Sequence, residues 1–146
     1  PKDTLAINDD YTIEWEILLP KNFKFEQDDP DLRVILAQVH QDENDGSPPF
    51  EFGLQGDRYY IASHTPSGGY VEEILGSARS DLGKWTKFSL RYKTSDGDEG
   101  VTRLYKNYAP YSKKNTWTKC LSGTVRLSQN RRICLESTKK ERYHQS

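Results

Sequence analysis

Residues 11–19 and 85–93 each keep an unbroken two-residue period. In the first, Tyr11, Ile13, Trp15, Ile17 and Leu19 alternate with Thr12, Glu14 and Glu16. In the second, Thr86, Phe88, Leu90 and Tyr92 alternate with Lys87, Ser89, Arg91 and Lys93. Successive side chains of an extended chain point to opposite faces, so each stretch reads as a strand with one face in a core and one in water. The β-branched and aromatic residues at the apolar positions suit a pleated, half-buried surface. No stretch carries a persuasive 3.6-residue apolar period, and the fold class that follows is all-β.

The remaining chain divides into short strands and turns. Pro20 ends the first strand, and a charged loop over residues 21–31 leads into an aliphatic run at 32–40. Residues 41–49 form an acidic, turn-rich loop. Residues 50–54 and 58–63 read as a hairpin around Gln55-Gly56-Asp57. Further strands are expected at 70–75 and 101–108, with 76–83 as a connection and 95–100 as a turn. Short strands are also expected at 117–121, 124–127 and 131–136. Residues 1–10 read as an arm or short edge, and 138–146 as a charged tail. Eight or more short antiparallel strands with Gly, Asp and Pro turns predict one concanavalin-like β-sandwich or jelly roll over 1–146. The chain starts at Pro1 and contains no Met, so removal of a start codon and truncation of an upstream region are both open expectations.

A chain of 146 residues can bury one core. The net charge of −1 provides no global field for nucleic acid or a membrane surface, and no apolar run approaches the length of a membrane span. Only 34% of residues are hydrophobic, yet there are 9 Tyr, 3 Trp and 5 Phe, so core and binding face alike must be aromatic. Such a profile suits carbohydrate, whose C–H faces lie on rings. Cys120 and Cys134 are too few for a disulfide framework; a pair across a hairpin and two free thiols both stand. No signal peptide is visible.

The run from Leu32 to His40 ends in Gln38-Val39-His40, which sets an amide and an imidazole on one face of a strand. Alone, such a pair is most often a hydrogen-bonded strand end. In order around it lie the strand ending in Pro20, the acidic loop closing with Ser47-Pro48-Pro49-Phe50 and a Gly-bearing hairpin. Asp81-Leu82-Gly83-Lys84-Trp85, a Ser-Asp-Gly turn and Leu104-Tyr105-Lys106-Asn107 follow. This ordered set, over roughly residues 11 to 108, resembles the jelly-roll polysaccharide lyases with a Gln-(Ile/Val)-His motif. It is similar to the heparin lyase I–like family and, more distantly, to alginate and glucuronan lyases. The resemblance implies β-elimination on a uronate-containing glycan, with Gln38 offsetting the uronate charge and His40 removing the C5 proton. Donors aimed at a developing enolate stabilise it most in a water-poor cleft, and a base near its operating pKa takes the proton. Two patterns usual in these lyases, an N-terminal Arg-x-Glu and a late Tyr-x-Lys-x-Gly-x-Tyr, do not occur in this sequence.

Tyr105 is therefore the substitute candidate for the proton-donating tyrosine. Arg91 and Lys93 are candidates for binding carboxylate or sulfate, with Tyr60 and Lys106 as further substrate contacts. Of the adjacent Tyr59 and Tyr60, only one can face a cleft. His64 and His144 have no partner that spacing identifies. Acidic residues at 42–45 and 96–99 offer oxygen ligands for Ca²⁺ but at no recognised spacing, so no cofactor is expected. Zinc, P-loop, dinucleotide and Gly-x-Ser-x-Gly patterns do not occur. Two functions follow: a lyase acting on an acidic polysaccharide, or a non-catalytic glycan-binding or adhesive module of a larger assembly such as a virion or cell surface. Either places the protein outside the cell or on a surface, with a homo-oligomer or assembly partner allowed. Fold alone does not separate them.

Overall fold

Why the two alternating stretches fold as they do is visible in their pairing: Ile13 stands opposite Leu90 and Trp15 opposite Phe88, so both apolar rows face one side. The computed structural model describes residues 4–6, 10–25, 32–41, 50–64, 70–93, 100–113, 124–127 and 132–134. Within them the strands are β1 (Thr4–Ala6), β2 (Asp10–Leu18), β3 (Arg33–Gln41), β4 (Phe50–Gln55), β5 (Arg58–His64) and β6 (Tyr70–Ser77). Then come β7 (Trp85–Lys93), β8 (Val101–Lys106), β9 (Ala109–Pro110), β10 (Thr124–Leu127) and β11 (Arg132–Cys134). One 3₁₀ turn, Arg79–Asp81, joins β6 to β7. The acidic segments at 42–45 and 96–99, the strand expected at 117–121, Cys120, His144 and the tail at 138–146 lie outside the described residues.

Two sheets form the sandwich. The six-stranded sheet runs β1-β10-β3-β4-β5-β6, and the five-stranded sheet runs β11-β2-β7-β8-β9. Every neighbouring pair is antiparallel except β11 with β2. The all-β sandwich expected from the patterning is the architecture observed. The rows that face inward are Trp15 and Ile17 on β2; Phe88, Leu90 and Tyr92 on β7; Phe50, Phe52 and Leu54 on β4; and Tyr59 and Ile61 on β5. Phe52 lies 4.7 Å from Phe88 and stacks on Tyr59 at 5.5 Å, while Trp15 stacks on Phe88 at 6.1 Å. Each such ring contributes about 1.5–3 kcal/mol by leaving water. Aromatic residues thus supply much of the core that a 34% hydrophobic composition must provide.

Two details depart from simple alternation. A bulge in β3 between Ile35 and Ala37 inserts Leu36, which is buried in the core. The strand expected to reach Tyr108 stops at Lys106, because Asn107 and Tyr108 take φ of 48° and 67° and close a two-residue hairpin into β9. Near the other end of β7, the Gly83 N–H donates to the Leu19 carbonyl at 2.6 Å, and Gly83 takes φ of 75°. That is a left-handed position where glycine avoids a Cβ clash.

Candidate functional site

Register carries Gln38 of β3 opposite Glu51 of β4, Glu51 opposite Ala62 of β5, and Ala62 opposite Glu72 of β6. This row lies on the face of the six-stranded sheet turned away from the aromatic core. One pair further along, Ile35, Gly53, Tyr60 and Ile74 form a parallel row. Gln38 is only 3% exposed and Tyr60 wholly buried, so this face is covered around them. Tyr59, its neighbour, points into the core, as alternation requires.

Arg33, at the start of β3, joins the same face. Its guanidinium sits 4.5 Å from the Tyr60 ring centroid, ion-pairs with Glu72 and lies 3.8 Å from Glu51. One cation is therefore shared by two carboxylates, and Gln38 stands in register beside one of them. Sequence reading missed Arg33 because an uninterrupted strand would place it on the opposite face from Gln38; the bulge at Leu36 reverses that parity. Tyr60 crosses over Gly53, where an added Cβ would meet the Val34 carbonyl at 2.1 Å and the Tyr60 ring at 2.9 Å. His40 is described by its backbone alone, which pairs with Arg126 of β10 in register. Arg126 was likewise not singled out, since nothing local shows that β10 inserts between β1 and β3.

The other sequence candidates lie elsewhere. Arg91, Lys93 and Tyr105 are on the outer face of the five-stranded sheet, across the sandwich from Gln38. Arg91 donates to Asp10 at 2.8 Å, and this pair holds the Asp10 carboxyl below its usual range. Lys106 points to the inner side of β8, where its Nζ meets Asp81 at 2.8 Å. The Tyr59 hydroxyl donates to the same Asp81 oxygen at 2.8 Å, and Lys106 stands 5.6 Å and 5.3 Å from the Tyr59 and Tyr111 rings. Burial, then the Asp81 charge and hydrogen bond, push the Tyr59 hydroxyl far above its ordinary range. Burial also raises Tyr111. This cluster ties the 3₁₀ turn to β5 and β8. Of the sequence-chosen set, then, Gln38, Tyr60 and the His40 backbone share one sheet, and Tyr105, Arg91, Lys93 and Lys106 do not join them. Among the described residues no group of His, Cys, Asp and Glu could hold a metal ion, and no helix is long and apolar enough to cross a membrane.

Comparison with known proteins bears on this arrangement. The polysaccharide lyase family model matches residues 2–128. The structure superposes on an endo-β-1,4-glucuronan lyase from the fungus Trichoderma reesei with a TM-score of 0.64 at 12% identity, over 86% of this chain and 60% of that one. It also superposes on the receptor binding domain of botulinum neurotoxin type G with a TM-score of 0.50 at 11% identity, over 86% of this chain and 34% of the other. At such identities the likeness is one of fold. No curated protein sequence matches the chain significantly.

Proposed function

Because the chain belongs to the polysaccharide lyase family, we propose that it cleaves an acidic, uronate-containing polysaccharide by β-elimination, on the Gln38 face of the six-stranded sheet. The observation that carries this reading is the Gln38-Val39-His40 strand, placed within a sandwich matched by the family model over residues 2–128. His40 is the base that removes the C5 proton, and Gln38 offsets the charge that develops on the carboxyl group. Proton removal and charge stabilisation reinforce each other only when both groups address the same sugar. A uronate polymer also needs a cation, and Arg33 is already shared by Glu51 and Glu72. The cation in register with His40 is Arg126, and it is the residue we assign to the sugar carboxylate.

Mass spectrometry of digests of alginate, glucuronan, heparin and hyaluronan tests the reaction type. Elimination gives oligosaccharides lighter by one water than hydrolysis products. Intact polymer throughout, from folded protein, would defeat the proposal. A second reading has its own support: Gln38 is 3% exposed and Tyr60 fully buried, so no sugar reaches them without displacement of what covers them. On that reading the chain is a glycan-binding module, and it would bind the same polymers without shortening them. The chain spans 60% of the length of the glucuronan lyase it superposes on, so either activity is proposed here for this sandwich.

A further inference from the structure

The outer face of the five-stranded sheet carries three features that work against stability. Tyr108 is 75% exposed, yet it occupies a left-handed φ of 67° where glycine is the unstrained choice. Trp85, on the same face of β7, leaves 40% of its surface in water. Arg91 stands directly opposite Arg103, a like-charge cross-strand pair. Asp10 is committed to Arg91, which leaves Arg103 across the strand as an exposed guanidinium. The hairpin accounts for the φ of Tyr108 but not for a largely exposed ring there, and the two guanidinium groups face each other across the strands.

They also form one array. Trp85, Lys87, Ser89, Arg91 and Lys93 succeed one another along the outer face of β7, with Arg103 and Tyr105 beside them on β8. From Trp85 to Arg91 the row extends about 20 Å at the rise of an antiparallel strand. Tyr108 is fixed at its edge: Lys87 Nζ donates to the Tyr108 hydroxyl at 2.9 Å and lies 4.7 Å from its ring centroid. Glu14 anchors the same ammonium at 3.3 Å, and the Lys87 N–H donates to Asn107 Oδ1 at 3.2 Å. Lys87 thus fixes the position of an otherwise exposed ring.

We propose that this face is a polysaccharide-binding surface separate from the Gln38 face, with Tyr108 and Trp85 stacking on sugar rings and Arg103, beside the Arg91–Asp10 pair, gripping carboxylate or sulfate groups. The occupant follows from chemistry: flat rings take the C–H faces of sugars, and forked guanidinium groups take planar anions bidentately. An extended row of both kinds suits a linear anionic glycan better than a small ligand. The surface needs no catalysis, so it stands or falls apart from the elimination reading.

The test is retention of full-length His40→Ala protein, which cannot turn over substrate on that reading, in gels containing alginate, glucuronan, heparin or hyaluronan, with neutral dextran as reference. Tyr108→Gly relieves the left-handed strain, so its melting temperature is expected to stay level or rise. Its affinity for the retained polymer is expected to fall about tenfold, the loss of one stacking ring. Arg103→Glu is expected to weaken retention further and to reduce its salt dependence. Retention equal to the parent in both Tyr108→Gly and Arg103→Glu would overturn the proposal. Equal retention by polyphosphate in place of glycan would also overturn it, since that response needs only charge.

Discussion

Lys106 shows how far a residue's type can mislead about its place. A lysine in the strand ending Leu104-Tyr105-Lys106-Asn107 suggests a cation offered to substrate, but the side chain turns inward to Asp81, shared with the Tyr59 hydroxyl. Twenty-five positions separate Lys106 from Asp81 along the chain, and only the assembled sheets show that they meet. Removing one partner from a mostly buried pair leaves the other charge uncompensated. Lys106→Met is therefore expected to cost about 3–5 kcal/mol, read from urea unfolding. Tyr59→Phe removes one hydrogen bond to a charged group and is expected to cost about 1.5–3 kcal/mol at neutral pH. The pH dependence has a definite sign. Folding raises the Tyr59 pKa, so its contribution is complete below the unfolded tyrosine value near 10 and is lost as pH rises above it. Unfolding midpoints should thus fall between pH 9 and about 11 in the parent, and less steeply in Tyr59→Phe.

Among the elements, β2 and β7 were legible because their alternation is unbroken, and the structure pairs them with inward and outward rows as read. The Gln38-bearing strand was legible as a strand but not in its parity. A run such as Leu32-Arg33-Val34-Ile35-Leu36-Ala37 has apolar residues at nearly every position, so a bulge leaves no mark in it. That concealed Arg33, and with it the ion cluster beside Gln38. Partners of β10 and β11 were equally hidden, since short strands carry little register information and β11 joins β2 in parallel from far along the chain. Gly53 pins the β3–β4–β5 geometry where Tyr60 lies across it. Gly53→Ala is expected to destabilise by about 1–3 kcal/mol through overpacking, and to shift the near-ultraviolet circular dichroism of the covered tyrosine.

For the whole molecule, the fold class followed from periodicity and the candidate chemistry from one triplet and its ordered surroundings. The sandwich confirms the first and puts Gln38, Tyr60 and the His40 backbone on one sheet, while Arg91, Lys93, Tyr105 and Lys106 fall on the other. Composition could not reveal that division, because both sheets draw on the same aromatic and charged residues. The core that joins the sheets is expected to be unforgiving. Phe88, fully buried against Trp15, Phe52 and Tyr59, should cost about 3–5 kcal/mol on replacement by alanine. On the proposed reading His40 starts a β-elimination on this sandwich. Ultraviolet absorbance is followed during incubation with alginate, glucuronan, heparin and hyaluronan, parent beside His40→Ala. A rise from the unsaturated product in the parent on one polymer, absent in a folded His40→Ala protein, is the result predicted. An equal rise in both proteins would remove His40 from the role of base, and a flat trace on every polymer from folded parent would contradict the lyase reading itself.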